Sequence, residues 1–169
     1  MGWGLVNSKQ PFLWVVRPRS VRGSDSIEVV LKEVREKVGD RGCIVQWAPQ
    51  REVLGHGAVG GLLSHCGWNS TVESLSEGVP MVCWPDFGDQ RVNARYVCCV
   101  WRVGLGLEGE LEWEGVEKGV RRVMVGEEGR AMRERAMDFK RRIEDSLMED
   151  GSCSSSLKEL VDLIMSFID

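Results

Sequence analysis

Five short apolar runs recur along the chain: PFLWVVR (11–17), CIVQW (43–47), GGLLSH (60–65), PMVCW (80–84) and RVGLGL (102–107). Each is too short for a core helix and apolar at consecutive positions, as a strand buried on both faces must be. Between them lie amphipathic stretches that predict helices over 26–38, 50–54, 69–77 and about 89–100, and helices fill most of the chain beyond 107. Strands alternating with helices specify an α/β fold built on a doubly wound parallel sheet. There is no internal repeat, interdomain linker or low-complexity segment, so the 169 residues read as one domain, 1–169, with a sizeable core.

Charge and composition narrow the partners. The 22 basic and 26 acidic residues leave a net charge of −4, whereas phosphate-backbone binding needs a basic face; nucleic acid is not an expected partner. Any anion must be gripped locally, by backbone N–H groups or a helix end. No apolar stretch approaches the ~20 residues of a membrane span, and the opening MGWGLVNSKQPF lacks the regions of a signal peptide. The six cysteines (Cys43, Cys66, Cys83, Cys98, Cys99 and Cys153) form no CxxC and several fall inside apolar runs. They read as free, buried thiols of a cytoplasmic protein, and the sequon at Asn69-Ser70-Thr71 is expected to stay bare.

Chemistry concentrates in residues 47–90, WAPQREVLGHGAVGGLLSHCGWNSTVESLSEGVPMVCWPDFGDQ, where glycines alternate closely with polar and aromatic side chains. In open α/β sheets ligands bind beyond the carboxyl ends of strands. The run ending in His65 turns through Cys66, Gly67 and Trp68 into a helix starting near Asn69 or Ser70. A helix start presents unpaired N–H donors and a positive dipole end, which suits a phosphate. Gly67 allows close backbone approach, and His65, Asn69 and Ser70 add donors. Glu73 is placed to accept ribose hydroxyls; equally, Ser70-Thr71-Val72-Glu73 is a capping box. Trp47, at the end of its strand, offers a flat face to a planar base or serves as a structural indole. Asp89 and Gln90 suit paired sugar hydroxyls, or act as an N-cap and a surface amide.

Other motifs fail. Residues 104–109 spell GxGxxG but lead into Glu110-Leu111-Glu112, whose carboxylates would repel a pyrophosphate. No phosphate-binding GxxxxGK[ST] loop exists, and His56 and His65 alone build no metal cluster. Towards the C-terminus, Met132, Ala136, Phe139, Ile143 and Leu147 form the apolar stripe of a helix over about 130–148 with a solvated charged face. Ser156 and Glu159 have capping-box spacing, predicting a last helix that packs through Leu157, Leu160, Val161, Ile164 and Ile168.

The block at 47–90 closely resembles the signature box of the plant family 1 UDP-dependent glycosyltransferases. WAPQ, HCGWNS, Glu73, GVPM and the closing DQ are all present, and PFLWVVRP, VRGSD, NARYV and EEGRAMRERA on its flanks match the family's style. Leu62 departs from it, where an aromatic is common. The resemblance implies the Rossmann-like C-terminal domain of a GT-B glycosyltransferase. In it Trp47 stacks on uracil, Ala48 touches the base edge, Gln50 lies near the ribose and Glu73 holds its hydroxyls. His65, Gly67, Asn69 and Ser70 bind the diphosphate; Trp68, Asp89 and Gln90 contact the sugar. Gln90 with Trp68 points to UDP-glucose, with no metal or other cofactor expected. The implied reaction is inverting glucosyl transfer to a hydroxyl of a small acceptor such as a flavonoid or terpenoid.

The same resemblance places the catalytic His–Asp pair in an N-terminal acceptor domain, so no catalytic residue is assigned here. It also puts a strand and a glycine-serine turn ahead of Met1, at the sheet's centre in the order 3-2-1-4-5-6. Without that strand, the runs at 11–17 and 43–47 should stand apart from the other three, unless the gap closes or a partner supplies a strand. A truncated gene product or incomplete gene model is the expectation. Two functions follow: the donor half of a glucosyltransferase, or a non-catalytic UDP-sugar-binding or interaction module pairing with a full-length relative. An inactive fragment is the third reading.

Overall fold

A computed structural model describes residues 1–17, 24–107, 109 and 111–167, with only the backbone of 24–28. In chain order the elements are α1 (Gly2–Ser8), β1 (Phe12–Val15), α2 (Ser24–Val38), β2 (Gly42–Val45), α3 (Gln50–Leu54), β3 (Leu62–Ser64), α4 (Trp68–Ser76), β4 (Met81–Cys83), α5 (Gln90–Arg95), β5 (Gly104–Gly106), α6 (Trp113–Met124), α7 (Glu127–Leu147) and α8 (Ser152–Met165). The segment at 18–23, Glu108, Glu110 and Ile168 lie outside the described residues, so their expected roles are left aside.

All strand pairing is parallel, and it falls into two sets. β1 pairs with β2, while β3, β4 and β5 form a second sheet in that order. The expected separation is therefore present: among the described residues no ladder joins β1 to β3.

The three-stranded sheet is covered on both faces, as alternation along its strands requires. Met81 and Cys83 face one layer with Cys66, Leu75, Ala94, Val97, Val103 and Ala136. Val82 faces the other, with Leu105, Val123 and Met132. α6 lies close on this second face because Gly119 has no side chain where a Cβ would meet Leu107 at 2.7 Å and Val82 at 3.2 Å. Leu62, the departure from the family pattern, simply packs against the first layer.

α1 ties the two strand groups together through its glycines. Gly4 lies against the Trp113 carbonyl and Val116 of α6, and Gly2 against Val34 of α2 and Trp14 of β1. No sequence signal announces this helix, because glycine is a poor helix former; its formation follows from the contacts that glycine permits.

Several local expectations are corrected. The helix after β4 gives way at Tyr96 to a π-helical turn, Tyr96–Val100. α7 begins three residues earlier than expected, and Leu147 of its stripe is exposed. α8 begins at Ser152 behind Gly151, so Ser156 and Glu159 lie inside it and form no capping box. The chain turns at Gly151, where its N–H donates to the Met148 carbonyl, and Ser154 Oγ donates back to the Leu147 carbonyl. The apolar face of α8 is not packed: Leu157, Leu160, Val161 and Ile164 are all exposed. The six cysteines are free, but only Cys66 and Cys83 are buried.

The α1–α6 contact predicts a reversal of ordinary helix propensity. Gly→Ala within a helix normally stabilises by up to about 1 kcal/mol. Gly4→Ala would drive a methyl into the α6 backbone, so a net loss of about 1–3 kcal/mol is expected from overpacking. Urea denaturation measures it; an unchanged or higher midpoint would show that α1 does not dock as described.

Candidate functional site

The carboxyl ends of β2, β3 and β4 each run into a turn carrying part of the signature block. β2 ends at Val45, two residues before Trp47, whose indole is 72% exposed. A core indole would be covered, and Trp47 is not. Ala48 and Pro49 lead into α3, which begins at Gln50.

From β3, His65 and Cys66 turn into α4, whose N-cap is Gly67. The first helical bond runs from the Thr71 N–H to the Gly67 carbonyl at 3.0 Å. The amides of Trp68, Asn69 and Ser70 are therefore the ones a helix start leaves without an intrahelical acceptor. A Cβ on Gly67 would lie 2.6 Å from His65 Nε2. Glycine here is thus what lets the imidazole fold over the turn. Cys66 adopts a left-handed φ of 65°, and its N–H donates to Ser64 Oγ at 3.0 Å.

Gln50, Ser70 and Glu73 converge although they come from two helices. Gln50 Nε2 donates to Ser70 Oγ at 3.0 Å and to Glu73 Oε2 at 2.7 Å. α4 begins at Trp68 with no side-chain cap, so Glu73 stands in its second turn. The capping-box alternative is ruled out: the Glu73 carboxylate faces Gln50 on the rim of the site.

Beyond β4, Asp89 precedes α5 without capping it through its side chain; its Oδ2 accepts from Asn93 Nδ2 at 2.8 Å. Gln90 is no surface amide. Only 7% exposed, it accepts through Oε1 from the Asp86 N–H at 2.9 Å and the Phe87 N–H at 3.2 Å. It holds the Asp86–Phe87 loop in shape. Trp68, 54% exposed, and exposed Asn69 stand at the start of α4.

A family profile described as "UDP-glucoronosyl and UDP-glucosyl transferase" matches residues 1–149. The chain belongs to this UDP-glycosyltransferase family. UDP-glycosyltransferase 76E4 of Arabidopsis thaliana is 57% identical over 161 residues, which are 95% of this chain and 36% of the relative. Flavonol 3-O-glucosyltransferase UGT76E12 of the same plant is 55% identical over 95% of this chain and 35% of its own length. The chain thus spans about a third of the curated UDP-glycosyltransferases it matches.

Solved structures agree on the fold. UDP-glucose: anthocyanidin 3-O-glucosyltransferase in complex with UDP matches with a TM-score of 0.88 and 35% identity, over 98% of this chain and 36% of that one. Os79 from O. sativa in complex with UDP matches at 0.83 and 39%, over 94% and 35%. The α/β architecture with parallel strands is therefore that of the plant UDP-glycosyltransferases.

Two side chains that organise the UDP-glycosyltransferase turns carried no sequence signal of their own. Asn93 Nδ2 donates to the Cys66 carbonyl at 3.0 Å as well as to Asp89, joining the β3 and β4 turns. Ser64 braces Cys66 from below. The spacing of Asp89 and Asn93, i and i+4, puts them on one helix face, but nothing local signals the long-range bond to Cys66. The GxGxxG stretch is also explained: Gly104 and Gly106 form β5, and Gly104 lets the strand lie against the Met81 carbonyl.

Asn93→Ala leaves the Cys66 carbonyl unpaired in a buried setting, which costs about 1–3 kcal/mol. Asn93→Asp keeps the size but loses the donor and sets a carboxylate against Asp89. Both are expected to lower the urea midpoint, Asp more than Ala. Equal stability of all three proteins would remove Asn93 from this role.

Proposed function

We propose that the shelf formed by these turns binds a UDP-sugar, specifically UDP-glucose, as the donor-holding half of a glycosyltransferase acting on small hydroxylated acceptors. One observation carries the reading: Gln50, Ser70 and Glu73 converge beside an exposed indole, Trp47, at the open start of α4. Trp47 stacks on the uracil and the Ala48 backbone meets its edge. Glu73 takes the ribose hydroxyls, exchanging its Gln50 partner for the diol. The amides of residues 68–70, with Gly67, His65, Asn69 and Ser70, hold the diphosphate. Trp68, Asp89 and Gln90 lie on the sugar side, with the Gln90 oxygen committed to the loop and its amide nitrogen turned to the ligand. Further support comes from the UDP complexes among similar solved structures and from the flavonol glucosyltransferase among the relatives. The diphosphate charge is met by these donors without a metal, so EDTA leaves binding unchanged.

Transfer itself needs a base within hydrogen-bond reach of the acceptor hydroxyl. His56 Nδ1 accepts from the Ala58 N–H at 3.2 Å and supports a turn, and His65 lies over Gly67. Neither serves as that base, which the acceptor half supplies. The second reading, a non-catalytic UDP-sugar module that pairs with a full-length relative, is favoured by edges of β1 and β3 that pair with no further strand among the described residues and by the unpacked face of α8. No helix among the described residues is long and apolar enough to cross a membrane.

Isothermal titration of the 169-residue chain with UDP and UDP-glucose tests the donor reading. Trp47→Ala is expected to lose about 1–3 kcal/mol of binding, the range for a base stacked on an aromatic. Glu73→Ala is expected to lose a similar amount for UDP and less for a 2′,3′-dideoxyribose analogue. Absence of heat with folded wild-type protein would sink the proposal. Glucoside formed from UDP-glucose and a flavonol by this chain alone would sink the non-catalytic reading.

A further inference from the structure

Three cysteines meet directly behind the β3 turn, a cluster that the donor reading does not use. Cys66 and Cys83 are fully buried in one core layer, and Cys98, half-buried, packs against it. Cys83 lies beside Gly106 in the β4–β5 register. Gly106 has no side chain, and a Cβ there would lie 4.0 Å from Cys98 Sγ, so the sulfur of Cys98 reaches in alongside Cys83. Cys98 sits in the π-helical turn Tyr96–Val100, a local widening of the helix often found at functional positions. Among the described residues no group of three His, Cys, Asp or Glu side chains is arranged to hold a metal ion. Thiol chemistry remains.

The two ends of the cluster differ in proton affinity. Hydrogen bonding with Cys66 and Cys98, then burial, holds the Cys83 thiol far above the ordinary range. Hydrogen bonding from Cys83 lowers Cys98, against the opposing effect of its burial. Cys98, a half-buried residue, is thus the thiolate-prone one, with Cys83 the protonated donor behind it. Cys43, Cys99 and Cys153 are exposed but stand outside this cluster.

We propose that Cys98 is a peroxide-modification site whose resolving partner is Cys83, giving a reversible intrachain disulfide in the wall behind the β3 turn. The Cys98 thiolate attacks one oxygen of hydrogen peroxide; the O–O bond breaks, hydroxide leaves, and Cys98 becomes a sulfenic acid. Cys83 sulfur then attacks the Cys98 sulfur. The S–O bond breaks, and the departing hydroxide takes the Cys83 proton, leaving as water. In sum, two thiols and one peroxide give one disulfide and two waters. Closing this bond pulls Cys83 away from Cys66, whose left-handed backbone shapes the turn at Gly67. Oxidation therefore weakens nucleotide binding, a consequence that rests on the donor reading above.

The test exposes the folded 169-residue chain to hydrogen peroxide, blocks remaining thiols with iodoacetamide and maps peptides by mass spectrometry. A Cys83–Cys98 linked peptide that dithiothreitol removes is expected. Cys83→Ser should stop at a Cys98 sulfenic acid trapped by dimedone, and Cys98→Ser should yield neither product. Cys99→Ser should leave the linkage intact. Because Cys83→Ser perturbs the core, Cys98→Ser supplies a second reading, in which Cys83 should take no dimedone. A wild-type map without the Cys83–Cys98 linkage, a dimedone adduct on Cys83 in Cys98→Ser, or oxidation confined to Cys43, Cys99 and Cys153, would overturn the proposal. UDP titration of reduced and oxidised protein reads the consequence: a several-fold weaker affinity restored by dithiothreitol is expected. Equal affinity would refute the coupling, whereas a reduced chain without UDP affinity would refute the donor reading and leave the peptide map standing.

Discussion

The parallel register that sets Ser64 beside Cys83 and Cys83 beside Gly106 determines what this end of the molecule can do. It brings the β3 and β4 strand ends to one edge, so the two turns that follow lie side by side. Because side chains alternate across the sheet, Cys83 shares a layer with Cys66 while Val82 faces α6. A one-residue slip would reverse these faces and bury a different set. The register also sets the Asn93 amide where it bonds both turns. Backbone pairing, rather than any one side chain, is what assembles the shelf.

Much of this was legible from the chain because buried parallel strands leave strong marks. Every apolar run became a strand, and α3 appeared at Gln50–Leu54 as its pattern required. The convergence of Gln50 and Glu73 follows from elements that the sequence places correctly. The misses have a common physical cause: they depend on contacts between distant segments. α1 is held by Gly2 and Gly4 meeting α2 and α6, contacts that propensity cannot foresee. The Ser156–Glu159 pattern mimicked a cap, but the turn at Gly151 fixes the start of α8 earlier. The surface-amide alternative for Gln90 gives way to a buried brace of the Asp86–Phe87 loop, whose backbone bonds the sequence does not signal.

Residues that suit a ligand and residues that shape the site are thus interleaved. Trp47, Trp68 and Asn69 are exposed and have little to do with holding the fold, and exposed Asp89 serves it only through its bond from Asn93. Ser64, Cys66, Asn93 and Gln90 are buried and fix the turns on which the exposed group stands. Lys140 and Arg51 anchor Glu77 at the end of α4, tying the helix to α7 and α3 at 3.2 and 3.6 Å. Exposed ion pairs contribute little; the half-buried Lys140 contact is the one that orients α4. The helix that presents the amides of residues 68–70 is therefore clamped at both ends.

The openness of the proposed donor shelf to water has a consequence for chemistry. Glycosyl transfer with inversion requires the acceptor oxygen, held by a base, to approach the anomeric carbon opposite the leaving diphosphate. On the side proposed for the sugar, Trp68, Phe87 and Asp89 are exposed. Water there would compete with any acceptor hydroxyl, and the fixed donors would be weakened by its high dielectric. If the proposed donor reading holds, covering that side falls to a second surface that brings the base and excludes solvent together. On this reading affinity for the nucleotide and catalysis of transfer are separable properties of the architecture. In that proposal the first belongs to residues 47–90, and the second needs another surface that closes the shelf.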